Sequence, residues 1–137
     1  AVVGTPNRLE YDQGFFVKNG DGAADVKPIA HLYKTQVYAL ARHLGVPGDI
    51  VNATPSTDTY SLAQGQDEFY FALPWERMDL ALWAHEHGVS EADLAARLGI
   101  APADAGFVYR DIEAKRRATR YLHAPPALAG TVAAIAP

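Results

Sequence analysis

The segment Gly4–Glu10 (GTPNRLE) places a hydroxyl, free backbone amides and a carboxylate directly after the apolar run Ala1–Val3. A buried strand that ends in Gly-Thr presents those groups at the carboxyl edge of a parallel sheet, where open α/β proteins bind ligands. Glu10 follows a turn later, and Mg²⁺ beside phosphates favours one or two carboxylates. An ordinary strand–turn–helix junction with a solvated glutamate accounts for the same residues, because short glycine motifs are weak signals.

The loop Phe15–Asp25 (FFVKNGDGAAD) carries opposite charges around a glycine-rich turn. Its glycines allow the backbone to approach a ligand closely. Lys18 can neutralise a phosphate or carboxylate, and Asp21 or Asp25 can accept hydrogen bonds from ribose hydroxyls or an amine. A turn with an exposed ion pair worth ~0–1 kcal/mol is the alternative, and the spacing alone leaves both interpretations open.

Three further segments could bind anions. Lys34 falls at the start of a predicted helix, where the helix dipole disfavours a cation and calls for a compensating anion, although snorkelling surface lysines are also common. The segment 54–59 (TPSTDT) is rich in hydroxyls, which bind phosphate oxygens or form turns and caps. The segment 113–120 (EAKRRATR) holds four of the chain's twelve basic residues near a helix end, where the dipole alone favours them.

Composition limits the class of protein. The chain has 137 residues, a net charge of -4, 49% hydrophobic residues and no cysteine, which is typical of one soluble domain with a core. It has no apolar run of the roughly 18 residues that a membrane span needs. The acidic balance argues weakly against nucleic-acid or membrane binding. We therefore expect a cytoplasmic protein, and the abrupt opening on AVVGT indicates the middle of a fold.

The histidines show no paired spacing typical of a metal site, so no metal is assigned to them. The chain shows no internal repeat. We predict one domain over 1–122 and a loosely ordered Ala/Pro-rich tail over 123–137. The predicted elements are a strand at 1–3, helices at 34–45, 79–87, 90–99 and 102–122, and an extended loop at 49–66.

Six ordered blocks, GTPNRLE, GFFVKNGDGAADVKPI, LYK, TPSTD, DEFYFALPWERMD and EAKRR, resemble the carboxyl-terminal half of NAD synthetases, the ammonia-dependent type most of all. The resemblance extends to about Leu122. It implies an α/β fold of the adenine-nucleotide α-hydrolase type, with a partial Rossmann-like parallel sheet followed by a mostly helical C-terminal part. It also implies a homodimer.

The same resemblance implies a ligase that uses ATP and Mg²⁺ to adenylate the nicotinate carboxylate of deamido-NAD. Ammonia then attacks the mixed anhydride, giving NAD, AMP and pyrophosphate. No residue is assigned a catalytic role. By resemblance, ATP would be bound by Thr5, Lys34 and Ser56, Mg²⁺ by Glu10, and deamido-NAD by Lys18, Asp25 and Lys115.

The sequence departs from the family pattern in four places. Ala114 replaces the histidine of a His-Lys-Arg triplet, Ser56 replaces a threonine, and Gly20–Ala23 replaces Gly-Asp-Gly-Gly. The Ser-Gly-Gly-x-Asp-Ser pyrophosphate loop is absent, since SGG occurs nowhere in the chain. A cradle of backbone amides cannot be replaced by scattered lysines. We therefore expect this chain alone to be an inactive, incomplete part of the enzyme.

Two other classes remain open. Residues 90–122 could form a helix-turn-helix DNA-binding module with a basic second helix, although the chain is acidic overall. The chain could also be a non-catalytic nucleotide-binding relative that has lost its pyrophosphate loop. Within the enzyme hypothesis, the sequence leaves open whether ammonia or glutamine supplies the nitrogen.

Overall fold

The computed structural model describes residues 1–55 and 70–130, and the regular structure in these ranges is helical. None of the helices in these ranges has the length and apolarity needed to cross a bilayer. The elements are α1 (Arg8–Gln13), α2 (Lys34–His43), α3 (Gly48–Val51), α4 (Trp75–Glu86), α5 (Glu91–Leu98), α6 (Pro102–Thr119) and a 3₁₀ turn (Arg120–His123).

The predicted strand at 1–3 forms a single parallel bridge between Val3 and Val26. The Gly4 N–H donates to the Val26 carbonyl at 2.9 Å, and the Val26 N–H donates to the Val2 carbonyl at 3.2 Å. Val3 remains 61% exposed. One neighbouring segment on one side gives a bridge but no ladder, so the described residues contain no strand. The partial Rossmann-like sheet stays a prediction.

Two helices have the boundaries that their capping residues predict. The Ser90 hydroxyl accepts from the Asp93 N–H at 3.1 Å at the start of α5, and Gly99 ends that helix with φ 65°. In α1, the Asn7 side chain accepts from the Glu10 N–H while the Glu10 carboxylate accepts from the Asn7 N–H, a reciprocal capping box.

Several boundaries differ from the sequence prediction, and two of the differences have a clear local cause. The helix expected from residue 79 begins four residues earlier as α4, because the Pro74 carbonyl accepts from the Met78 N–H at 2.9 Å and so starts the helix. The loop expected from residue 49 begins with the single turn α3, which follows Pro47. The remainder of that loop from Ser56 onward lies outside the described residues.

The core is built by α4, α5 and α6, with α1 packed against α4 and α6. Among the described residues, the largest fully buried apolar side chains are Leu9, Met78, Leu82, Leu94 and Ile112. Leu9 comes from α1, so the short helix that carries Glu10 is anchored by burial of a large side chain. This packing fixes the position of α1 on the helical part.

The end of α1 meets the last helix at Gly14. This glycine has φ 71°, a conformation that favours glycine. A Cβ at this position would overlap the side chain of Thr119 on α6. The Tyr70 hydroxyl also donates to the Gln13 carbonyl at 2.6 Å. The exit of α1, and hence the start of the loop that carries Lys18, is therefore held against α6.

Candidate functional site

The first turns of α1 and α2 meet in an ion pair. Lys34 is the first residue of α2, is only 6% exposed, and its Nζ lies 2.9 Å from Glu10 Oε1. The anion expected from the position of Lys34 at a helix start is therefore supplied, at least in part, by Glu10. Two of the predicted site residues touch each other.

Backbone contacts bring these two helix starts together. The Arg8 N–H donates to the Leu32 carbonyl at 2.8 Å, which fastens the beginning of α1 to the turn before α2. Glu10 Oε2 accepts from the Asn7 N–H at 3.1 Å. One carboxylate thus caps its own helix through one oxygen and contacts Lys34 through the other, so its orientation is fixed from two sides.

A cavity of about 370 Å³ contains three of the predicted residues, Thr5, Glu10 and Lys34. These hydroxyl, carboxylate and ammonium groups, with the side chain of Asn7, form its polar lining, which we call its polar end. The rest of the wall is mostly apolar and comes from Ile29, Val37, Tyr38, Ala41, Val46, Ile50 and Val51. Such a cavity can hold a charged group at one end and a planar apolar group along its wall.

Ser56, the third residue predicted to bind ATP, lies outside the described residues. The hydroxyl-rich segment that leads to it borders a second cavity, of about 520 Å³, through Thr54 and Pro55. Tyr38 and Val51 line both cavities. The described part of the segment therefore approaches the region of Lys34.

Lys18 lies at a different cavity, of about 450 Å³, which is also lined by Tyr11, Phe16, Lys27 and His123. Its Nζ donates to the Tyr121 carbonyl at 2.6 Å. Tyr11 stacks on Phe16 with ring centroids 5.6 Å apart, and the two rings meet the edge of His123. This cavity combines aromatic faces with two ammonium groups.

Asp25 and Lys115 do not line either the Lys18 cavity or the Lys34 cavity. Asp25 is exposed, and its Oδ2 accepts from the Val2 N–H at 2.7 Å beside the Val3–Val26 bridge. Lys115 pairs with Asp111 on the same face of α6. Of the three residues predicted to bind deamido-NAD, only Lys18 lines either of these two cavities.

Lys115 also contacts an aromatic cluster that connects it to the loop. Its Nζ lies 4.8 Å from the centroid of Tyr70, a distance typical of a cation–π contact. Tyr70 in turn lies 5.0 Å from Phe15, centroid to centroid. Phe15 is three residues before Lys18, so the cluster is a further link between α6 and the charged loop.

A charge network centred on Glu86 joins α4 to α1 and to the start of α2. Glu86 Oε1 accepts from Arg8 Nη2 at 2.7 Å, and Glu86 Oε2 accepts from the Tyr33 hydroxyl at 2.6 Å. Burial, together with the hydrogen bond to Glu86, raises the pKa of Tyr33 to about 12. Glu86 therefore holds the residue directly before Lys34.

The same network reaches α6 through Arg116. Its guanidinium binds Asp12 with two hydrogen bonds, Nε to Oδ1 at 2.9 Å and Nη2 to Oδ2 at 2.8 Å. Nη2 also contacts Glu86 at 3.3 Å. A forked arginine–carboxylate pair fixes direction as well as distance. The register of α6, and with it Lys115, is thus tied to α1.

Sequence reasoning missed Glu86 and Asp79, both on α4. Glu86 binds partners 53 and 78 positions away, and no local spacing reveals such pairs. Asp79 Oδ2 accepts from the Thr35 N–H at 2.6 Å. Burial raises the pKa of Asp79, against the opposing effect of the Thr35 and Lys34 N–H groups. For Asp79, the only signal in the sequence was an acidic residue within an apolar helical pattern.

The polar end of the Lys34 cavity fits Mg²⁺ only if phosphate oxygens and water supply most of the metal ligands. Glu10 is the carboxylate that lines it, and the described ranges contain no group of three or more His, Asp or Glu side chains placed to hold a metal. Mg²⁺ is commonly held by one or two carboxylates together with phosphate oxygens and water. Glu10 can supply that one carboxylate.

Comparison with known proteins decides the family. Residues 1–124 match the model of the family described as NAD synthase. The chain belongs to the NAD synthase family. Its relatives include the NH(3)-dependent NAD(+) synthetases of Rhizobium meliloti (strain 1021), 66% identical over 130 residues, and of Mesorhizobium japonicum (strain LMG 29417 / CECT 9101 / MAFF 303099), 61% identical over 128 residues.

The match covers less of these NAD synthases than of the chain. Each alignment spans 93% of the chain but only 38% and 40% of the respective relative. A solved structure of NMN synthetase from Francisella tularensis superposes with a TM-score of 0.64 and 24% identity. That superposition covers 94% of the chain and 46% of the other protein. At this identity, the likeness shows the fold alone.

Proposed function

We propose that this chain is part of an enzyme that amidates deamido-NAD at the expense of ATP. The nicotinate carboxylate would first be adenylated with release of pyrophosphate. Ammonia would then attack the mixed anhydride, giving NAD and AMP. Membership of the NAD synthase family supports this proposal. The observation that carries it to particular residues is the meeting of Thr5, Glu10 and Lys34 in one cavity.

The chemistry requires strong screening of negative charge. A carboxylate is a poor electrophile until its oxygen becomes part of a good leaving group, and phosphate charge must be compensated while this happens. Lys34 is well placed to exchange its contact with Glu10 for a contact with a phosphate oxygen. Thr5 would donate its hydroxyl to the nucleotide, and Ser56 would do the same from the hydroxyl-rich segment.

Glu10 would hold Mg²⁺ together with phosphate oxygens and water. Bound there, Mg²⁺ would supply charge neutralisation to the triphosphate. The fixed direction of the carboxylate, capped through Oε2 and contacted by Lys34 through Oε1, supports this role. A preset ligand loses little conformational entropy on binding.

Deamido-NAD would contact Lys18, Asp25 and Lys115. The Lys18 cavity supports this assignment because aromatic faces suit a pyridinium ring and ammonium groups suit a diphosphate. Lys115 would contact the same substrate from α6. Its contact with Tyr70, which packs on Phe15, links it to the loop that carries Lys18. We further propose ammonia as the nitrogen source, in keeping with the names of the relatives, a homodimer as the working form, and a cytoplasmic location.

The decisive experiment assays the full gene product that contains this chain with ATP, Mg²⁺, deamido-NAD and ammonium. We expect equal amounts of NAD, AMP and pyrophosphate, and no NAD without ammonium. Replacing ammonium by glutamine should give no product. Release of ADP instead of AMP, or no turnover with any nitrogen donor, would contradict the proposal.

The isolated chain of residues 1–137 provides a second comparison. Because no SGG sequence occurs in it, we expect the purified chain to form no NAD under conditions in which the full gene product does. Calorimetric titration of this chain with ATP and Mg²⁺ should give no micromolar binding. Micromolar binding would show that these residues form a complete triphosphate site without that loop.

A further inference from the structure

The start of α2 is held by a side chain from another helix. Its N-cap residue, Tyr33, donates its N–H to the Gln36 side chain at 3.0 Å, but the Tyr33 side chain itself makes no cap hydrogen bond. Instead, the Thr35 N–H in the first turn donates to Asp79 Oδ2 on α4 at 2.6 Å. The first N–H groups of a helix lack intrahelical acceptors, so this carboxylate satisfies a group that would otherwise need water.

Asp79 occupies an unfavourable place for a carboxylate. It is 4% exposed and adjoins Met78, which is fully buried. Burial raises its pKa, which means that keeping the charge there costs stability. An apolar side chain of similar size would fill the same space without that cost. What Asp79 provides and an apolar side chain would not is therefore a charged group at the start of α2.

Lys34 is the residue whose position depends on that contact. It is the first residue of α2 and directly precedes Thr35, and its Nζ reaches Glu10 Oε1 at 2.9 Å. The positive charge of Lys34 also favours the ionised form of Asp79, so the two side chains attract each other. A change in the first turn of α2 would move the ammonium relative to Glu10 and the cavity.

We propose that Asp79 is a positioning residue of the ATP site: by accepting from the first turn of α2, it sets Lys34 at the polar end of the cavity. This proposal rests on the proposed function. Asp79 touches no reacting atom in it and acts through Lys34 alone. Its loss should therefore weaken the use of ATP and leave the use of deamido-NAD nearly unchanged.

The chain offers a matched control for the loss of a helix cap. Ser90 caps α5 by accepting from the Asp93 N–H at 3.1 Å, and it is exposed and borders neither the Lys34 nor the Lys18 cavity. Ser90→Ala removes a cap without touching α2. Asp79→Asn keeps an acceptor of the same shape. Asp79→Leu removes the acceptor but relieves the buried charge, so it should fold even if Asp79→Ala does not.

The test measures the KM for ATP, the KM for deamido-NAD and the melting temperature of the full gene product and these variants. We expect Asp79→Ala and Asp79→Leu to raise the KM for ATP about tenfold, the factor that corresponds to ~1.4 kcal/mol, with the KM for deamido-NAD nearly unchanged. Asp79→Asn should restore most of the affinity. Ser90→Ala should lower the melting temperature only.

Two results would overturn the inference. One is an unchanged KM for ATP in Asp79→Leu, which would reduce Asp79 to a structural cap. The other is an equal rise in both KM values, which would indicate a general disturbance of the fold. Failure of the proposed function looks different, because the unmodified gene product would then form no NAD from ATP, deamido-NAD and ammonium.

Discussion

Lys34 Nζ lies 2.9 Å from Glu10 Oε1, and this contact joins the first turn of one helix to the first turn of another. The lysine is only 6% exposed, so the pair is largely withdrawn from water. Under the proposed function, Glu10 offers the ammonium an anionic partner until ATP binds. Binding of a triphosphate would then be an exchange of one anion for another, with little cost for ordering the side chain.

The first prediction concerns this pair. Glu10→Gln keeps a side-chain acceptor for the Asn7 N–H but removes the charge that faces Lys34. We expect a loss of stability of ~1–3 kcal/mol, because a buried charged group loses a hydrogen-bonded ionic partner. We also expect the rate of NAD formation to saturate only at a much higher Mg²⁺ concentration. Denaturant titration and a Mg²⁺ dependence of NAD formation measure the two effects.

Asp104→Asn is the control, since Asp104 is an exposed acid in the first turn of α6 and lines none of the three cavities described above. It should change stability by less than ~0.5 kcal/mol and leave the Mg²⁺ dependence alone. If Glu10→Gln behaves like this control in both measurements, Glu10 is neither the anchor of Lys34 nor a metal ligand.

The second prediction separates the two substrates. Lys18→Ala should raise the KM for deamido-NAD far more than the KM for ATP, because Lys18 lies at a different cavity from Lys34. Steady-state kinetics with each substrate varied in turn provide the measurement. Arg97→Ala removes a positive charge from the exposed surface of α5 and should affect neither KM. Equal effects of Lys18→Ala on both substrates would show that the sites are not divided in this way.

The third prediction concerns the fork between α1 and α6. Arg116→Met removes both hydrogen bonds to Asp12 and leaves this part-buried carboxylate without a guanidinium, while Glu86 keeps its contact with Arg8. We expect a loss of ~1–3 kcal/mol in the free energy of unfolding. Arg117→Met, at the exposed neighbouring position, should change it by less than ~0.5 kcal/mol. Indistinguishable unfolding curves would mean that the fork contributes no net stability.

The fourth prediction concerns alkaline pH. Burial raises the pKa of Tyr33 from 10.0 to about 12, with the hydrogen bond to Glu86 as the next cause. The folded state therefore keeps a proton that the unfolded state releases. The stability from this group is fully present below pH 10 and declines as the pH rises from 10 towards 12. Spectrophotometric titration of tyrosine should show one fewer late-titrating group in Tyr33→Phe.

A second observation checks the same assignment. Glu86→Gln removes the negative charge that opposes ionisation, so Tyr33 should titrate at lower pH in that variant. Tyr121→Phe removes an exposed tyrosine and should leave the late-titrating group in place. An unchanged titration curve in both Tyr33→Phe and Glu86→Gln would exclude the hydroxyl–carboxylate contact.

The parts of the fold that sequence predicts are those with a local signal. Ser90 and Gly99 mark the ends of α5 because capping and a left-handed glycine are properties of a few neighbouring residues. Pro74 was misleading, since a proline that interrupts an apolar pattern can equally supply the first carbonyl of a helix. The strand at 1–3 depends on distant neighbours, and only the Val3–Val26 bridge is present in the described ranges.

The same distinction holds for the site. The composition of the segment around Glu10 and the place of Lys34 at a helix start indicated charge chemistry, and the structure brings the two together. Resemblance supplied the roles of Lys18, Asp25 and Lys115, and those roles stay predictions. Asp79 and Glu86 could not be found from spacing because each binds a partner on another helix.

The close contact between Gly14 and Thr119 has a consequence for sequence variation. At position 14, the left-handed backbone and the lack of space both disfavour any larger residue. We therefore expect almost no substitution of this glycine among related sequences. Substitution should be tolerated at position 119 instead, because a residue smaller than threonine fits there without steric conflict. A library randomised at both positions should return glycine at 14 while 119 varies among alanine, serine and threonine.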